Sequence, residues 1–305
     1  MSDVVTLLAQ DVLKSGTLKG LPQHLYIDGA PVKASSGERM ETFDPGTGAA
    51  FASFDLANAS DVDRAVQSSH KALNGVWRAT KPAERSAILC RAGALLRRDI
   101  ARLSVAETLD SGKTLNEAQW DVLASARMFE YYGGLADKLQ GSSIPLGLDY
   151  MSFTLAEPVG VTAHIIPWNY PTSTMVRGIA PALAAGCTVV CKPAETTPLT
   201  ALMIAALLTE AGLPDGVFNV VQGDRVAVDR LLEHPDVRAV SFVGSTPVAQ
   251  HVHVDMDGPE REHRDGGRDE QRRQRSRIGE ERRHHQHEAT EQRHAVEHRG
   301  ERAKL

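Results

Sequence analysis

The chain has 305 residues, 34 Lys and Arg against 39 Asp and Glu for a net charge of −5, 42% hydrophobic residues and three cysteines. That length allows about two domains with real cores. The cysteine count excludes a disulfide scaffold and suits a reducing compartment, and the mild acidity offers no general field for nucleic acid. No apolar run reaches the roughly 18 residues that span a bilayer, and the N-terminus MSDVVTLLAQDVLKSG has neither a basic n-region nor a small-residue cleavage site, so a soluble, cytoplasmic protein is expected.

Residues 1–23 read as an N-terminal extension, and residues 24–57 as short strands and turns, with turns at Asp28-Gly29 and Asp44-Pro45-Gly46. A helix is expected from Ser60, where Ser60-Asp61-Val62-Asp63 fits a capping pattern ahead of apolar Val62, Ala65, Val66 and Leu73. Pro82 suits the first turn of the next helix, whose apolar face is Ile88, Leu89, Ala92, Leu95 and Leu96, with Cys90 placed on the same face. Further helical pattern runs over 101–109 and 115–139.

From Val159 the pattern changes. Val159–Ile166 is a largely apolar run, interrupted by Thr162 and His164, as expected of a strand buried on both faces. Then follow a helix over 174–185, a strand over 187–191, a helix over 199–211, a strand over 217–221, a helix over 225–233 and a strand over 238–243. Strand and helix alternating four times predict an α/β fold with a parallel sheet, and such sheets place ligands beyond the carboxyl ends of their strands.

The residues after each strand are therefore the informative ones. They are Pro167-Trp168-Asn169-Tyr170-Pro171, then Lys192-Pro193-Ala194-Glu195, then Gly223, then Gly244-Ser245-Thr246. An amide, a cation–carboxylate pair and small residues on one rim suit a nucleotide. Gly244 allows close backbone approach, and the helix opened by Ser245 or Thr246 offers free N–H groups to a pyrophosphate. Lys192 and Glu195 can hold ribose hydroxyls, and a carboxylate there repels a 2′-phosphate. Taken singly, the pair could be a surface ion pair, Asn169 could shape a turn, and no G-x-G-x-x-G fingerprint is present.

The last 55 residues differ in kind. Residues 251–305 carry 13 Lys and Arg, 13 Asp and Glu, eight of the 12 histidines, no aromatic residue and no cysteine. Such a segment cannot bury enough apolar surface to offset its ordering entropy, and the composition predicts disorder. His284, His285, His287 and Glu288 cluster, but not at the spacing of a structural zinc site, so no metal is expected. An Arg-, His-, Gln- and Glu-rich tail is also what GC-rich coding DNA yields when read out of frame.

Residues 24–250 resemble the N-terminal half of the aldehyde dehydrogenase superfamily. The segments that carry the resemblance are Ile166-Pro167-Trp168-Asn169-Tyr170-Pro171, Thr188-Val189-Val190-Cys191-Lys192-Pro193-Ala194-Glu195, Ala211-Gly212-Leu213-Pro214, Phe218-Asn219-Val220-Val221 and Phe242-Val243-Gly244-Ser245-Thr246. The resemblance implies a Rossmann-like parallel sheet that binds NAD without the glycine fingerprint, part of an oligomerisation flap near 140–157, and a chain truncated before the catalytic domain. It implies that Ile166, Pro167 and Trp168 lie along the cofactor and that Asn169 is the oxyanion-hole donor. It further implies that Lys192 and Glu195 contact the adenosine ribose, favouring NAD over NADP, that Gly223 lies near the adenine, and that Phe242, Gly244 and Ser245 lie under the pyrophosphate. Ala249 departs from the family, where many members have a glycine.

The chemistry implied is oxidation of a small-molecule aldehyde to a carboxylic acid through a cysteine thiohemiacetal, in a homo-oligomer. Its nucleophilic cysteine and general-base glutamate have no counterpart in 251–305. Cys90, Cys187 and Cys191 are expected to be buried and inert. The expectation is a chain inactive by itself, with two alternatives: a non-catalytic nucleotide-binding protein with an interaction tail, or a non-functional frameshifted product.

Overall fold

A computed structural model of the chain describes residues 2–16 and 18–256. The chain divides into two units, Met1–Val252 and His253–Leu305, and the account below concerns the first. The disorder expected from residue 251 is corrected over 251–256, which complete a helix running Thr246–Met256; the rest of the tail and its histidine cluster lie outside the described residues.

Helix α1 (Ser2–Ser15) turns the N-terminal extension into structure, because Val12 and Leu18 pack on Val105 and Ala106. Strands β1 (Leu25–Ile27) and β2 (Ala30–Val32) form a hairpin. Its two turn residues, Asp28 at φ 57° and Gly29 at φ 76°, adopt the positive φ that a tight hairpin requires. Gly29 is needed on a second ground: a Cβ there would sit 1.9 Å from Asp215 Oδ1. Strands β3 (Arg39–Phe43) and β4 (Ala50–Asp55) pair separately.

Helices α2 (Ala59–Asn74), α3 (Val76–Ala79), α4 (Pro82–Arg98), α5 (Ile100–Ser111) and α6 (Leu115–Leu135) follow. The α2 cap is Asn58 rather than Ser60: Asn58 Oδ1 accepts from the Asp61 N–H at 3.1 Å and Asp61 Oδ2 from the Asn58 N–H at 3.3 Å. Asn caps as well as Ser, and starting from Asn58 brings Asp61 to the third helical position, where its carboxylate closes the capping box. The α4 face is as expected except at Cys90, which is exposed. Leu89 is fully buried, and one further residue is a rotation of about 100°, enough to carry Cys90 off the apolar stripe.

A second hairpin, β5 (Ser143–Pro145) and β6 (Met151–Phe153), leaves Leu146, Leu148, Tyr150, Met151, Phe153 and Leu155 exposed. Then come β7 (Val161–Ile165), α7 (Pro171–Ala184), β8 (Thr188–Lys192), α8 (Leu199–Glu210), β9 (Phe218–Val220), α9 (Arg225–Glu233), β10 (Val237–Phe242) and α10 (Thr246–Met256). The predicted alternation is all present. Within that alternation the largest boundary shift is at α7, which starts three residues early because Pro171 is its first residue, a position where the missing N–H costs nothing.

The main sheet runs β10-β7-β8-β9-β1-β2. The first four strands are parallel, and β1 adds antiparallel to β9 with Tyr26 opposite Val220. This antiparallel extension was not legible in the sequence. Buried Asn219 fixes it: its Oδ1 accepts the Asp28 N–H at 2.8 Å while its Nδ2 donates to Gly216 O and Ser69 Oγ, each at 2.9 Å. Both sheet faces are covered, which explains why β7 and β8 are buried at every residue. Val189 and Cys191 point to the side of α4, α6, α7 and α8, and Val190 to the side of α2 and α9.

Candidate active site

The strand order has one reversal. From β7 the chain steps to β8 and β9 in one direction, then returns through α9 to place β10 on the other side of β7. The connections leaving β7 and β10 therefore diverge, and a crevice opens beyond their carboxyl ends. That crevice is a cavity of about 510 Å³. It is floored by Ile165, Ile166 and Lys192 and walled by Phe242, Val243, Gly244 and Ser245 from β10, with Pro247, Val248 and His251 from α10. Arg225 and Val228 of α9 and the Ala194–Glu195 loop complete it.

Six of the ten residues singled out from sequence meet in this cavity: Ile166, Lys192, Glu195, Phe242, Gly244 and Ser245. Lys192 is 4% exposed and reaches up from the end of β8 to Glu195 Oε1 at 2.6 Å. The pair sits where a ligand hydroxyl could meet a donor and an acceptor together. The edge of the sheet is closed by the Ile166 N–H donating to Lys192 O at 3.0 Å.

Pro167, Trp168 and Asn169 do not line the cavity. They continue from its Ile166 edge toward α7, with Trp168 62% exposed and Asn169 also exposed. Gly223 is buried instead of facing the crevice. A Cβ there would lie 2.6 Å from Ala227 Cβ and 3.1 Å from Ala57 O, so close packing at the start of α9 requires the glycine.

Sequence reasoning missed Arg225, Val228 and His251. One signal was available: Asp224 caps α9, its Oδ1 accepting the Val226 N–H at 2.8 Å, so α9 opens on the same rim. Asp229 then joins the two polar residues, accepting from Arg225 Nε at 3.2 Å and lying 2.7 Å from His251 Nε2. The first turn of α10 carries no acidic side chain that would repel an anion at the helix N-terminus.

No cysteine lines the cavity. Cys187 and Cys191 are buried, and burial pushes the Cys191 thiol up, with Lys192 acting in the opposite sense.

Two buried groups behind the crevice have displaced pKa values of opposite consequence. Burial lowers His164 of β7 to about 4, and its Nε2 lies 3.0 Å from Thr162 Oγ1. Below the ordinary value of 6.5 an unfolded imidazole takes up a proton that the folded one refuses, so this stability is lost as pH falls from about 6.5 to 4. Burial raises Asp110 to about 7, against the Thr42 hydroxyl at 2.7 Å and the Leu199 N–H at 3.1 Å, with the Glu107 carboxylate adding to the rise. Its contribution is present below 3.8 and lost as pH rises to about 7. Each is on the order of 3–4 kcal/mol, and between pH 4 and 6.5 they offset. Urea unfolding at stepped pH is expected to show, relative to the parent, stability falling from pH 4 to 6.5 for His164→Leu and rising over that range for Asp110→Asn. Parallel profiles for all three proteins would refute the assignment.

Residues 32–261 match the aldehyde dehydrogenase family. A Burkholderia cenocepacia protein described as an aldehyde dehydrogenase is 38% identical, with a TM-score of 0.76 over 78% of this chain and 49% of its own. The NAD+ complex of an aldehyde dehydrogenase from Bacillus cereus is 36% identical, with a TM-score of 0.75 over 76% of this chain and 48% of its own. An indole-3-acetaldehyde dehydrogenase complexed with NAD+ is 35% identical, with a TM-score of 0.78 over 82% and 50% respectively. The chain spans about half the length of these structures.

Proposed function

The chain belongs to the aldehyde dehydrogenase family, and on that footing we propose that residues 24–250 are the NAD-binding half of an enzyme that oxidises a small-molecule aldehyde to a carboxylic acid. The observation that carries this reading is the Lys192–Glu195 pair, held at 2.6 Å in a cavity at the switch point of the sheet.

The residues present fit a dinucleotide. At Gly244 a Cβ would fall 2.4 Å from Phe242 Cζ, so the phenyl ring folds against bare backbone, and the next helix begins within two residues. Lys192 and Glu195 would hold the adenosine ribose, Phe242, Gly244 and Ser245 would lie under the pyrophosphate, and Ile166, Pro167 and Trp168 would run along the remainder. Glu195 disfavours a 2′-phosphate by charge, which makes NAD the preferred cofactor over NADP. What NAD supplies when bound is a hydride acceptor. Among this chain's own groups, the Asn169 amide is the donor to a developing oxyanion, an interaction worth roughly 3–4 kcal/mol in comparable sites.

Among the described residues no thiol lines the cavity to start the reaction. The chain's three thiols lie away from the cavity, and 251–305 contains no cysteine. We therefore read this chain by itself as a nucleotide binder without turnover. In that reading the exposed apolar hairpin β5–β6 serves the homo-oligomer expected of the family, and the location is cytoplasmic. Calorimetry with NAD, paired with an assay for NADH production from aldehydes, tests both halves. Binding without turnover is expected, and turnover would overturn the claim of a missing nucleophile.

A further inference from the structure

Between Ile166 and α7 only Pro167, Trp168, Asn169 and Tyr170 span the rim, and Trp168 and Asn169 are exposed. Packing of their own side chains therefore does not fix where the Asn169 amide points. The anchors on either side must do so. One is the Ile166 N–H bond to Lys192 O, at 3.0 Å. The other is unusual.

Tyr170, the residue before α7, provides no side-chain cap. The first turn is capped instead from another helix. Glu107 of α5, with no exposed surface, accepts the Thr172 hydroxyl on Oε2 at 2.6 Å and the Thr172 N–H on Oε1 at 3.4 Å. Lys113 Nζ lies 3.0 Å from Glu107 Oε1 and 2.6 Å from Asp121 Oδ2 of α6. The same ammonium stands 4.5 Å from the centre of the Tyr170 ring, within the range of a cation–π contact. Three helices thus meet on one charged cluster, and two of the three residues that follow Asn169, Tyr170 directly and Thr172 through Glu107, are tied to it.

Charges this deep do not earn their place through stability alone, since an apolar replacement of equal volume is often neutral or better. What this cluster adds is direction: hydrogen bonds and a cation–π contact fix orientation as apolar packing does not. We propose that Glu107, Lys113 and Asp121 are positioning residues that hold the Asn169 loop, setting its amide and the Trp168 ring on the cavity rim. The function of that amide rests on the aldehyde dehydrogenase reading above, but the holding of the loop does not.

Trp168 reports on the loop directly. In a Trp120→Phe background the remaining tryptophans are Trp77, 1% exposed and buried in the core, and Trp168. Thr172→Val deletes the hydroxyl bond to Glu107 while keeping the volume and leaving the Lys113 pair intact. The expected result is a fast depolarising component in the time-resolved anisotropy of Trp168, absent in the parent and suppressed again in Thr172→Ser. If the cluster only glues helices together, Thr172→Val lowers the melting temperature but leaves the anisotropy at the parent value, and that result would overturn the proposal. Should Thr172→Val not fold, exchange in the unmodified full chain decides. The Thr172 amide, otherwise free at a helix N-terminus, is expected to exchange about tenfold or more slowly than in a free peptide, and exchange at the free-peptide rate would overturn the proposal. Failure of the parent to bind NAD would refute the functional reading while leaving these measurements to judge the loop.

Discussion

Lys113→Met is expected to lower the unfolding free energy by about 3–5 kcal/mol, the largest single effect anticipated for any residue near the rim. The ammonium is 9% exposed and neutralises two carboxylates, one of them fully buried. Burial pulls its pKa down, yet Glu107 and Asp121 outweigh that and hold it above the ordinary lysine value. Removing it strands Glu107 with its charge unpaired in the core. The penalty is expected to come from the stranded charge rather than from the lost pair, and the double variant Lys113→Met with Glu107→Gln separates the two. Urea unfolding at neutral pH should show the double variant recovering part of the loss, a coupling of about 1 kcal/mol or more. Additive costs would mean that the two residues act independently.

Glu195→Gln is expected to weaken NAD binding by about tenfold or more, the range for removing one charge-assisted hydrogen bond. Gln is nearly isosteric and leaves the loop unchanged, so Lys192, whose Nζ lies 2.6 Å from Glu195 Oε1, loses only its charge partner. The same change removes the repulsion that a 2′-phosphate would meet, and NADP affinity is expected to rise as NAD affinity falls. Opposite movements of the two ligands, measured by calorimetry on one protein, cannot come from a general loosening of the site. Parallel losses would place the ribose elsewhere.

The sequence made the sheet legible where each strand is buried on both faces. Val161–Ile165 and Thr188–Lys192 are buried throughout, and a short, mostly apolar run between helical patterns has few other readings. It predicted short strands about the Asp28-Gly29 turn but not the place of β1 beside β9, which depends on one buried amide, Asn219, distant in sequence. Residues at the strand ends were found because a parallel sheet puts its ligands there; Lys192, Glu195, Phe242, Gly244 and Ser245 meet for that reason. Arg225 and His251 escaped because they reach the cavity from helix faces, and a charged residue on a helix more often faces solvent. Cys90 shows the cost of placing a helix face by inspection, since one residue's rotation moved it from core to surface. The Glu107–Lys113–Asp121 cluster had no signature that tied it to the rim, because only Glu107 reaches Thr172, across 65 residues of sequence.

The central claim is that this chain holds the cofactor site of an aldehyde dehydrogenase without the thiol that performs the chemistry. Calorimetric titration of the full chain with NAD, followed by an NADH assay with aldehydes on the same sample, tests it most directly. The account predicts saturable, one-to-one binding that Glu195→Gln weakens, and no NADH from any aldehyde. Heats indistinguishable from dilution, or NADH that accumulates with aldehyde and disappears on blocking the Cys90 thiol, would contradict it.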